Sequence, residues 1–161
     1  MEATQTLTEP DAELEAVFAS AGPRLWHTIL AMAGGRRDVA DEAVAEAFAR
    51  ALEHRGSVRS LEPWLYRVAI NVAKLELRRA NRQTSLDGVE QEAHAVEGHL
   101  ALEPLRALSP GQRAALYLHY QEDLPIREIA KLMGTSPAVV KVHLSRGRRR
   151  LRELIGDEDD D

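Results

Sequence analysis

The stretch from 124 to 151 constrains the fold of this chain more than any other part of its sequence. Its first apolar residues recur at helical spacing and share one face of a short helix: Ile126, Ile129, Ala130 and Met133. Gly134 then ends that helix, because glycine readily adopts the left-handed conformation that caps a helix. Ser136 and Pro137 begin a second helix, since serine accepts a hydrogen bond at an N-cap and proline suits the first helical position.

The second helix of this stretch is apolar on one side only. Its inward residues are Val140, Leu144 and Leu151, and its other faces carry Lys141, His143, Arg146, Arg148, Arg149, Arg150 and Arg152. Two short helices around a glycine turn, the second of them basic, predict a helix-turn-helix, whose second helix enters the major groove of DNA. The alternative is an ordinary helical hairpin with a solvated basic face.

Composition favours an all-α fold. In a chain of 161 residues, 44% are apolar but only 4% are aromatic, so the core must come mostly from alanine, leucine and valine, as in packed helices. The length suits one medium domain or two small ones. The absence of cysteine excludes disulfides and thiolate metal sites. No apolar run approaches the ~20 residues that span a bilayer, and no signal peptide is visible, so we expect a cytoplasmic protein without a membrane partner.

The charge is segregated along the chain. The net charge is -5, yet residues 109–156 carry nine basic and four acidic side chains, and the last five residues, DEDDD, are all acidic. The basic part coincides with the predicted helix-turn-helix, as expected of a segment that binds phosphates. Two interpretations of the acidic tail, 157–161, stay open: a disordered solubilising tail, or a DNA-mimicking brake that folds back on the Arg148–Arg152 cluster.

Four helices and a linker are predicted before the basic segment. The helices cover 11–21, Pro23 to 35, a stretch with its N-cap at Asp38, and Pro63 to 82. Their inward stripes are predicted as Val44, Phe48 and Leu52 on the third helix and Leu65, Val68, Val72 and Leu75 on the fourth. Residues 83–99 have few bulky apolar side chains and form the predicted flexible linker between an N-terminal domain, 11–82, and a C-terminal domain, 100–156. In the latter, Ser109-Pro110 begins a further helix.

Two distant stretches together give the chain a specific likeness. The segment PWLYRVAINVAKLELRR contains the pattern W-L-x-x-x-A-x-N-x-x-x-x-x-x-R-R. The helix-turn-helix begins about 60 residues downstream of that tryptophan, within the segment LSPGQRAALYLHYQEDLPIREIAKLMGTSPAVVKVHLSRGRRRLREL. Over roughly 14–82 and 100–155 the chain resembles group IV sigma-70 factors, the extracytoplasmic-function class of bacterial RNA polymerase sigma subunits. DVADEAVAEAFARAL resembles the polymerase-binding helix of that family.

The resemblance implies a two-domain DNA-binding protein rather than an enzyme, with no cofactor and no metal. Region 4 would read the minus-thirty-five element as duplex, and region 2 would capture the opened minus-ten strand. The implied partners are promoter DNA and core RNA polymerase, through the coiled coil of its largest subunit and its flap. An anti-sigma factor is a further candidate partner.

Contacts with the minus-thirty-five element are predicted on the second helix of the helix-turn-helix. The full set is Ser136, Ala138, Val139, Lys141, Val142, His143, Ser145, Arg146 and Arg149. The cationic members would hold phosphates, and the small apolar side chains early in the helix would contact thymine methyls in the major groove.

Melted minus-ten DNA needs an aromatic stacking surface and cations for its phosphates. Trp64 and Tyr66 are the predicted aromatic faces, and the predicted donors on the same helix are Arg67, Asn71, Lys74, Arg78 and Arg79. Two structural alternatives stay open. Trp64 would be a core residue, and the two last arginines would complement the dipole at a helix C-terminus.

Asp38, Asp41, Glu42 and Glu46 form a predicted acidic face for the polymerase coiled coil, where complementary charge sets orientation and on-rate. The alternative is a plain solvated face. A metal site or an acid–base site is disfavoured, because no histidine or cysteine lies at ligand spacing among these carboxylates.

The sequence departs from the family pattern at three positions. Ala45 replaces a usual glutamine, Leu75 a frequent aspartate and His143 a frequent arginine. The changes at Ala45 and Leu75 sustain a second hypothesis, a sigma-like protein that binds an anti-sigma factor or the polymerase without initiating transcription. A third, a stand-alone helix-turn-helix repressor, leaves the helix that begins at Trp64 unexplained.

Overall fold

A computed structural model describes residues 9–54, 56–87 and 105–159, apart from the side chains of 9–10, 83–87 and 157–159. Within these ranges the chain forms helices and no strand, which confirms the all-α prediction. The helices are α1 (Glu9–Met32), α2 (Arg37–Glu53), α3 (Leu61–Asp87), α4 (Pro110–Tyr120), α5 (Ile126–Met133) and α6 (Pro137–Asp159). None of the described helices has the length and apolar character needed to cross a membrane.

The N-terminal region begins with one long helix where two were predicted. α1 runs through Pro23 without ending there. A proline inside a helix costs about 3 kcal/mol, but each large apolar side chain that becomes buried contributes about 1.5–3 kcal/mol. The buried stripe continues on both sides of the proline, through Leu14, Ala21, Leu25, Ile29 and Met32. Burial of this continuous face therefore outweighs the break that the sequence predicts.

The inward face of α2 matches the predicted one at Phe48 and, in part, at Val44, but it differs at Leu52. The buried residues are Val39, Ala40, Ala43, Ala47, Phe48 and Ala51, whereas Leu52 is 47% exposed. The predicted stripe fails at Leu52 because α2 packs against both α1 and α3, and small alanine side chains let both helices approach closely. The N-cap is Arg36 rather than Asp38, which lies in the first turn.

α3 carries the motif that begins at Trp64, and it also differs in detail from the prediction. Its buried residues include Leu65, Tyr66, Ala69, Ile70, Val72 and Ala73, but Leu75 is 50% exposed, so the prediction that Leu75 points inward is wrong. The helix extends to Asp87, five residues into the predicted linker. The remainder of that linker, 88–99, lies outside the described residues.

The helix-turn-helix forms as the sequence predicts. At the end of α5, Gly134 adopts φ 66°, and the Gly134 and Thr135 amides donate to carbonyls of the last turn. Ser136 Oγ accepts from the Val139 amide at 3.2 Å, which confirms its N-cap role. Ahead of this unit, Ser109 and Gln112 form a reciprocal capping box that starts α4.

The two groups of helices, α1–α3 and α4–α6, contact each other. α1 packs on α4 and α3 packs on α5, and the buried apolar residues of both groups belong to one continuous cluster. α6 remains at the surface on its outer side, and its backbone stays helical to Asp159. A fold-back of the acidic tail onto Arg148–Arg152 would therefore require the last turns of α6 to unwind.

Candidate nucleic-acid interface

The outer face of α6 displays most of the residues predicted for duplex DNA. Val140 and Leu144 are fully buried, with 0% exposure, and they fix this helix against α4 and α5. On the opposite side Val139 is 41% and Val142 45% exposed, which is unusual for valine and leaves apolar surface free for contact. The other predicted residues that are exposed on this face are Ala138, Lys141, Ser145, Arg146 and Arg149.

Gly147 is a buried position of α6 that the apolar pattern did not reveal. A Cβ built there would lie 2.9 Å from Leu116 Cδ1 of α4. The glycine therefore lets α6 cross α4 closely. This close crossing helps to hold the outer face of α6 at a fixed angle.

His143 lies at the edge of the α6 face and is half-buried. Its ring packs over Gly111, where an added Cβ would lie 2.8 Å from the ring Cε1 atom. Burial lowers the pKa of His143 below its ordinary value, and the nearby charges of Lys74 and Arg146 lower it further. The imidazole is therefore held in its neutral form more firmly than a solvated histidine would be.

Trp64 begins the second candidate surface, on α3. Its ring is half-buried and meets the His54 ring edge-to-face, with 6.1 Å between centroids. Together with Arg67 it borders an open cavity of about 470 Å³, whose remaining lining comes from the loop before α3: His54, Ser57, Val58, Arg59 and Ser60. The ring packs on the protein and also lines an open cavity. Its role as a stacking face for melted DNA stays a prediction.

The loop residues of this cavity were missed by the sequence reasoning. Arg59 is exposed beside Trp64 and adds a cation to the cavity wall. The polar segment RGSVRS directly before α3 could have indicated these residues. Only the tertiary structure, however, places that loop beside Trp64.

Tyr66 does not belong to this surface, and its prediction as a stacking face is wrong. The side chain is 2% exposed and lies in the core between α1 and α3, where its hydroxyl bonds with Thr28. Burial raises the pKa of Tyr66 to about 12, so the phenol stays neutral. The two-residue step from Trp64 rotates the side chain by about 200° around α3, which places Tyr66 on the opposite side of the helix.

The remaining predicted donors on α3 have different surroundings. Asn71 and Arg79 are exposed, and Arg79 pairs with Glu76 at 3.3 Å. Lys74 and Arg78 instead line a cavity of about 420 Å³ between α3 and the helix-turn-helix, opposite Val139 and His143. The structure thus brings residues predicted for two separate promoter elements to one cavity.

The acidic face of α2 is largely bonded within the protein. Asp38 pairs with Arg36 at 2.6 Å, and this contact lowers the pKa of the Asp38 carboxyl. Asp41 Oδ1 accepts from the indole N–H of Trp26 at 2.7 Å, and Glu46 pairs with Arg50 at 2.8 Å. Glu42 is exposed. In the described part of the chain, no group of three or more metal-ligating side chains converges.

Comparison with known proteins assigns both groups of helices, α1–α3 and α4–α6, to one family. The family model "Sigma-70 region 2" matches residues 17–83, and "Sigma-70, region 4" matches residues 101–151. The chain belongs to the sigma-70 family of RNA polymerase sigma factors. Its relatives place this sigma factor in the extracytoplasmic-function class.

Two relatives and one solved structure illustrate the likeness. The "Probable RNA polymerase sigma factor RfaY" of Xanthomonas campestris is 32% identical over 80% of this chain, which spans only 37% of that protein's length. The "ECF RNA polymerase sigma factor SigM" of Bacillus subtilis is 29% identical over 73% of this chain and 80% of its own. The sigma factor RpoE of Bartonella quintana, solved in complex with the anti-sigma factor NepR, shares the fold with a TM-score of 0.71 at 23% identity, over 89% of this chain and 97% of that one.

Proposed function

We propose that this sigma factor directs core RNA polymerase to specific promoters and starts transcription, without catalytic chemistry of its own, in the cytoplasm. The observation that carries the proposal is the two-sided character of α6. Its inner face is fully buried at Val140 and Leu144, while its outer face presents cations and free valine side chains. A helix of this kind is suited to the major groove, where direct readout of bases is possible.

The reading of the minus-thirty-five element is assigned to α6. Lys141, Arg146 and Arg149 are exposed cations for backbone phosphates, which fix register but carry no sequence information. Val139 and Val142, early in the helix, supply apolar contacts for thymine methyl groups. We propose 100–156 as the domain that performs this step.

Capture of the melted minus-ten strand is assigned to α3 and the loop before it, within a domain of 11–82 whose last helix continues to Asp87. Trp64 offers one aromatic face at the open cavity, and Arg59 and Arg67 supply cations at its wall. Unpaired bases stack on aromatic rings while neighbouring cations neutralise their phosphates. The segment 88–99 is proposed as the linker.

Polymerase binding is assigned to the acidic face of α2. Arg36, Trp26 and Arg50 hold three of its carboxylates in fixed positions, which reduces the side-chain entropy lost on docking. Glu42 completes the face. An anti-sigma factor remains a candidate second partner of this protein.

Run-off transcription tests the proposed function. With core polymerase and promoters selected from a random library, we expect transcripts that depend on the added protein. A product-free reaction in which the chain still binds the polymerase would instead support the sigma-like interaction protein. Tight duplex binding without polymerase, again with no product, would support a repressor.

Substitution of Arg149 tests the phosphate assignment on α6. We expect Arg149→Ala to weaken binding of the holoenzyme to all promoters similarly and to reduce the slope of log K against log salt by about one. Binding is measured by fluorescence anisotropy at several salt concentrations. Arg37→Ala, an exposed arginine of α2 outside the proposed interface, is the matched control and should leave the slope unchanged. A change of promoter preference in Arg149→Ala would contradict the assignment.

The affinity for promoter DNA should increase as the pH falls. In the free protein the pKa of His143 is lowered, whereas a neighbouring phosphate in the complex would raise it. Binding then takes up a proton between these two pKa values, and affinity gains up to about tenfold per pH unit in that window. The measurement is the dissociation constant from pH 5 to 8 at fixed ionic strength. His143→Gln should flatten this dependence, and an equal slope in both proteins would exclude a role for this histidine.

A further inference from the structure

We propose that the cavity between α3 and the helix-turn-helix binds a nucleoside diphosphate, and that this ligand competes with promoter DNA. The cavity has a volume of about 420 Å³, within the ~300–1,000 Å³ of pockets for small molecules. Binding of the nucleotide is a property of the chain by itself. Only the competition rests on the proposed function, because it concerns side chains that we assign to promoter contacts.

One wall of the cavity is cationic. Lys74 and Arg78 line it from α3, four positions apart, so one helical turn, or about 6 Å along the axis, separates them. Residues at this spacing lie on the same face of a helix. Two linked phosphates suit this arrangement, because a guanidinium binds one phosphate through two parallel hydrogen bonds while an ammonium binds the other as a point charge.

No acidic side chain compensates this charge within the described part of the chain. None of the described residues that line the cavity is an aspartate or a glutamate, and neither Lys74 nor Arg78 forms an ion pair there. The adjacent Arg79, in contrast, pairs with Glu76 at 3.3 Å. In a chain with a net charge of -5, two uncompensated cations in one concave space indicate a site for an anion.

His143 adds a nitrogen donor from the opposite wall, on α6. Its ring is held in place over Gly111 of α4, where a built Cβ would lie 2.8 Å from the ring Cε1 atom. Burial lowers the pKa of this histidine, and the charges of Lys74 and Arg146 lower it further, so their positive potential reaches the imidazole. A phosphate between the two walls would offset that potential and accept a hydrogen bond from the ring.

The rest of the lining is largely apolar, which suits a base better than a phosphate. Its aliphatic side chains are Leu77, Pro110, Met133 and Val139. Such side chains bury the flat faces of a base by removing apolar surface from water. Thr135 places a hydroxyl on the same wall, which can bond with the polar edge of a base. An inorganic phosphate would leave this apolar surface in contact with water, so we infer a nucleoside part of the ligand.

Contacts outside the cavity hold its walls in place. Arg67 of α3 packs on the turn before α6, where a Cβ built on Gly134 would lie 3.0 Å from Arg67 Cδ. On α4, Arg113 Nε donates to the carbonyl oxygen of Met32, the last residue of α1, at 2.8 Å. Because the walls are already positioned, little conformational entropy is lost when a ligand binds between them.

A nucleotide in this cavity and promoter DNA would use the same side chains. Lys74 and Arg78 are assigned to the minus-ten strand, and His143 is assigned to the minus-thirty-five element. One cation cannot bind the phosphates of both ligands at once. The nucleotide should therefore lower the affinity for promoter DNA, and promoter DNA should lower the affinity for the nucleotide by the same factor.

Isothermal titration calorimetry on the full chain tests the site without DNA or polymerase. The probes are adenosine diphosphate, guanosine diphosphate, inorganic diphosphate and adenosine, all at one ionic strength. We expect at least one of the two nucleotides to bind about tenfold or more tightly than inorganic diphosphate, and adenosine to give no measurable heat. Lys74→Met and Arg78→Met should each weaken nucleotide binding by about tenfold, the usual effect of losing one charged donor.

Matched controls separate the cavity from the general charge of the chain. Lys131→Met on α5 and Arg37→Met on α2 remove the same charges at exposed positions outside the cavity, and both should keep the parent affinity. The nucleotide should also shift the imidazole NMR signals of His143, which are assigned by their loss in His143→Gln. If a cavity variant unfolds, as judged by circular dichroism, this shift in the parent protein still decides where the nucleotide binds.

Three results would overturn the nucleotide site. These are no binding of either nucleotide, an inorganic diphosphate that binds as tightly as both nucleotides, and an equal loss of affinity in the cavity variants and their controls. Unchanged NMR signals of His143 on saturation would overturn its location in this cavity.

The competition is measured separately, with the full chain and a labelled promoter fragment at low salt. The nucleotide at ten times its dissociation constant should weaken binding of the fragment by about tenfold, as read by fluorescence anisotropy. An unchanged affinity for the fragment would refute the competition. A chain that binds the nucleotide but yields no run-off transcript would contradict the proposed function and leave the nucleotide site standing.

Discussion

Replacing Leu144 with alanine should lower the free energy of unfolding by about 2–5 kcal/mol, the usual cost of a cavity at a fully buried leucine. Leu144 has 0% exposure and anchors α6 to the rest of the helix-turn-helix. Because α6 bears the proposed recognition face, loss of this anchor should also weaken promoter binding. Urea unfolding followed by circular dichroism measures the stability, and anisotropy measures the binding.

Val142→Ala is the matched control for this experiment. It lies on the same helix two residues away, and its side chain is 45% exposed. Truncation of this exposed side chain should change the free energy of unfolding by no more than about 0.5 kcal/mol. It should still affect the promoter preference. Equal destabilisation by both substitutions would contradict the described orientation of α6.

Replacing Trp64 with alanine should reduce run-off transcription by about 5- to 150-fold, which corresponds to the ~1–3 kcal/mol that one stacked base contributes. The ring lines the open cavity beside Arg67, where we place the captured strand. The defect should lie in the melting of the promoter, so permanganate footprinting of unpaired thymines is the direct measurement. Binding of the holoenzyme to duplex minus-thirty-five DNA should stay within about twofold of the parent.

Trp64→Phe distinguishes stacking from packing. It retains an aromatic face and should restore most of the transcription, whereas thermal unfolding reports the packing that both variants lose. If the two variants transcribe equally poorly and are equally destabilised, the tryptophan is a packing residue only. If Trp64→Ala transcribes normally, the minus-ten surface lies elsewhere.

Prediction from sequence worked best where local chemistry decides. The glycine turn at Gly134, the Ser136 cap and the capping start at Ser109 are properties of a few adjacent residues, and each forms as expected. Prediction worked less well where several helices compete for one face. Leu52 and Leu75 match the apolar period of their helices, yet both are about half exposed, because alanines give the closer packing.

For the candidate DNA-binding surfaces too, prediction succeeded where local sequence decides and failed where tertiary packing decides. The cationic outer face of α6 follows from its one-sided period, and the structure leaves it exposed. Tyr66 and Trp64 are alike in sequence terms, but a two-residue step places one in the core and the other at a cavity. The contacts of Arg59 and Arg113 were not predicted, because the partner of a residue on a loop or on a helix face is fixed only when the chain folds.

The sequence by itself determined the helical class, the helix-turn-helix and the segregation of charge, because these depend on the spacing of side chains along single helices. Only the tertiary structure decided which aromatic residue is exposed, how α6 crosses α4 at Gly147, and that Arg113 bonds the end of α1. Those features depend on contacts between residues far apart in the chain, up to 81 positions for Arg113 and Met32. No local pattern encodes a partner at that distance, since it exists only once the helices have packed.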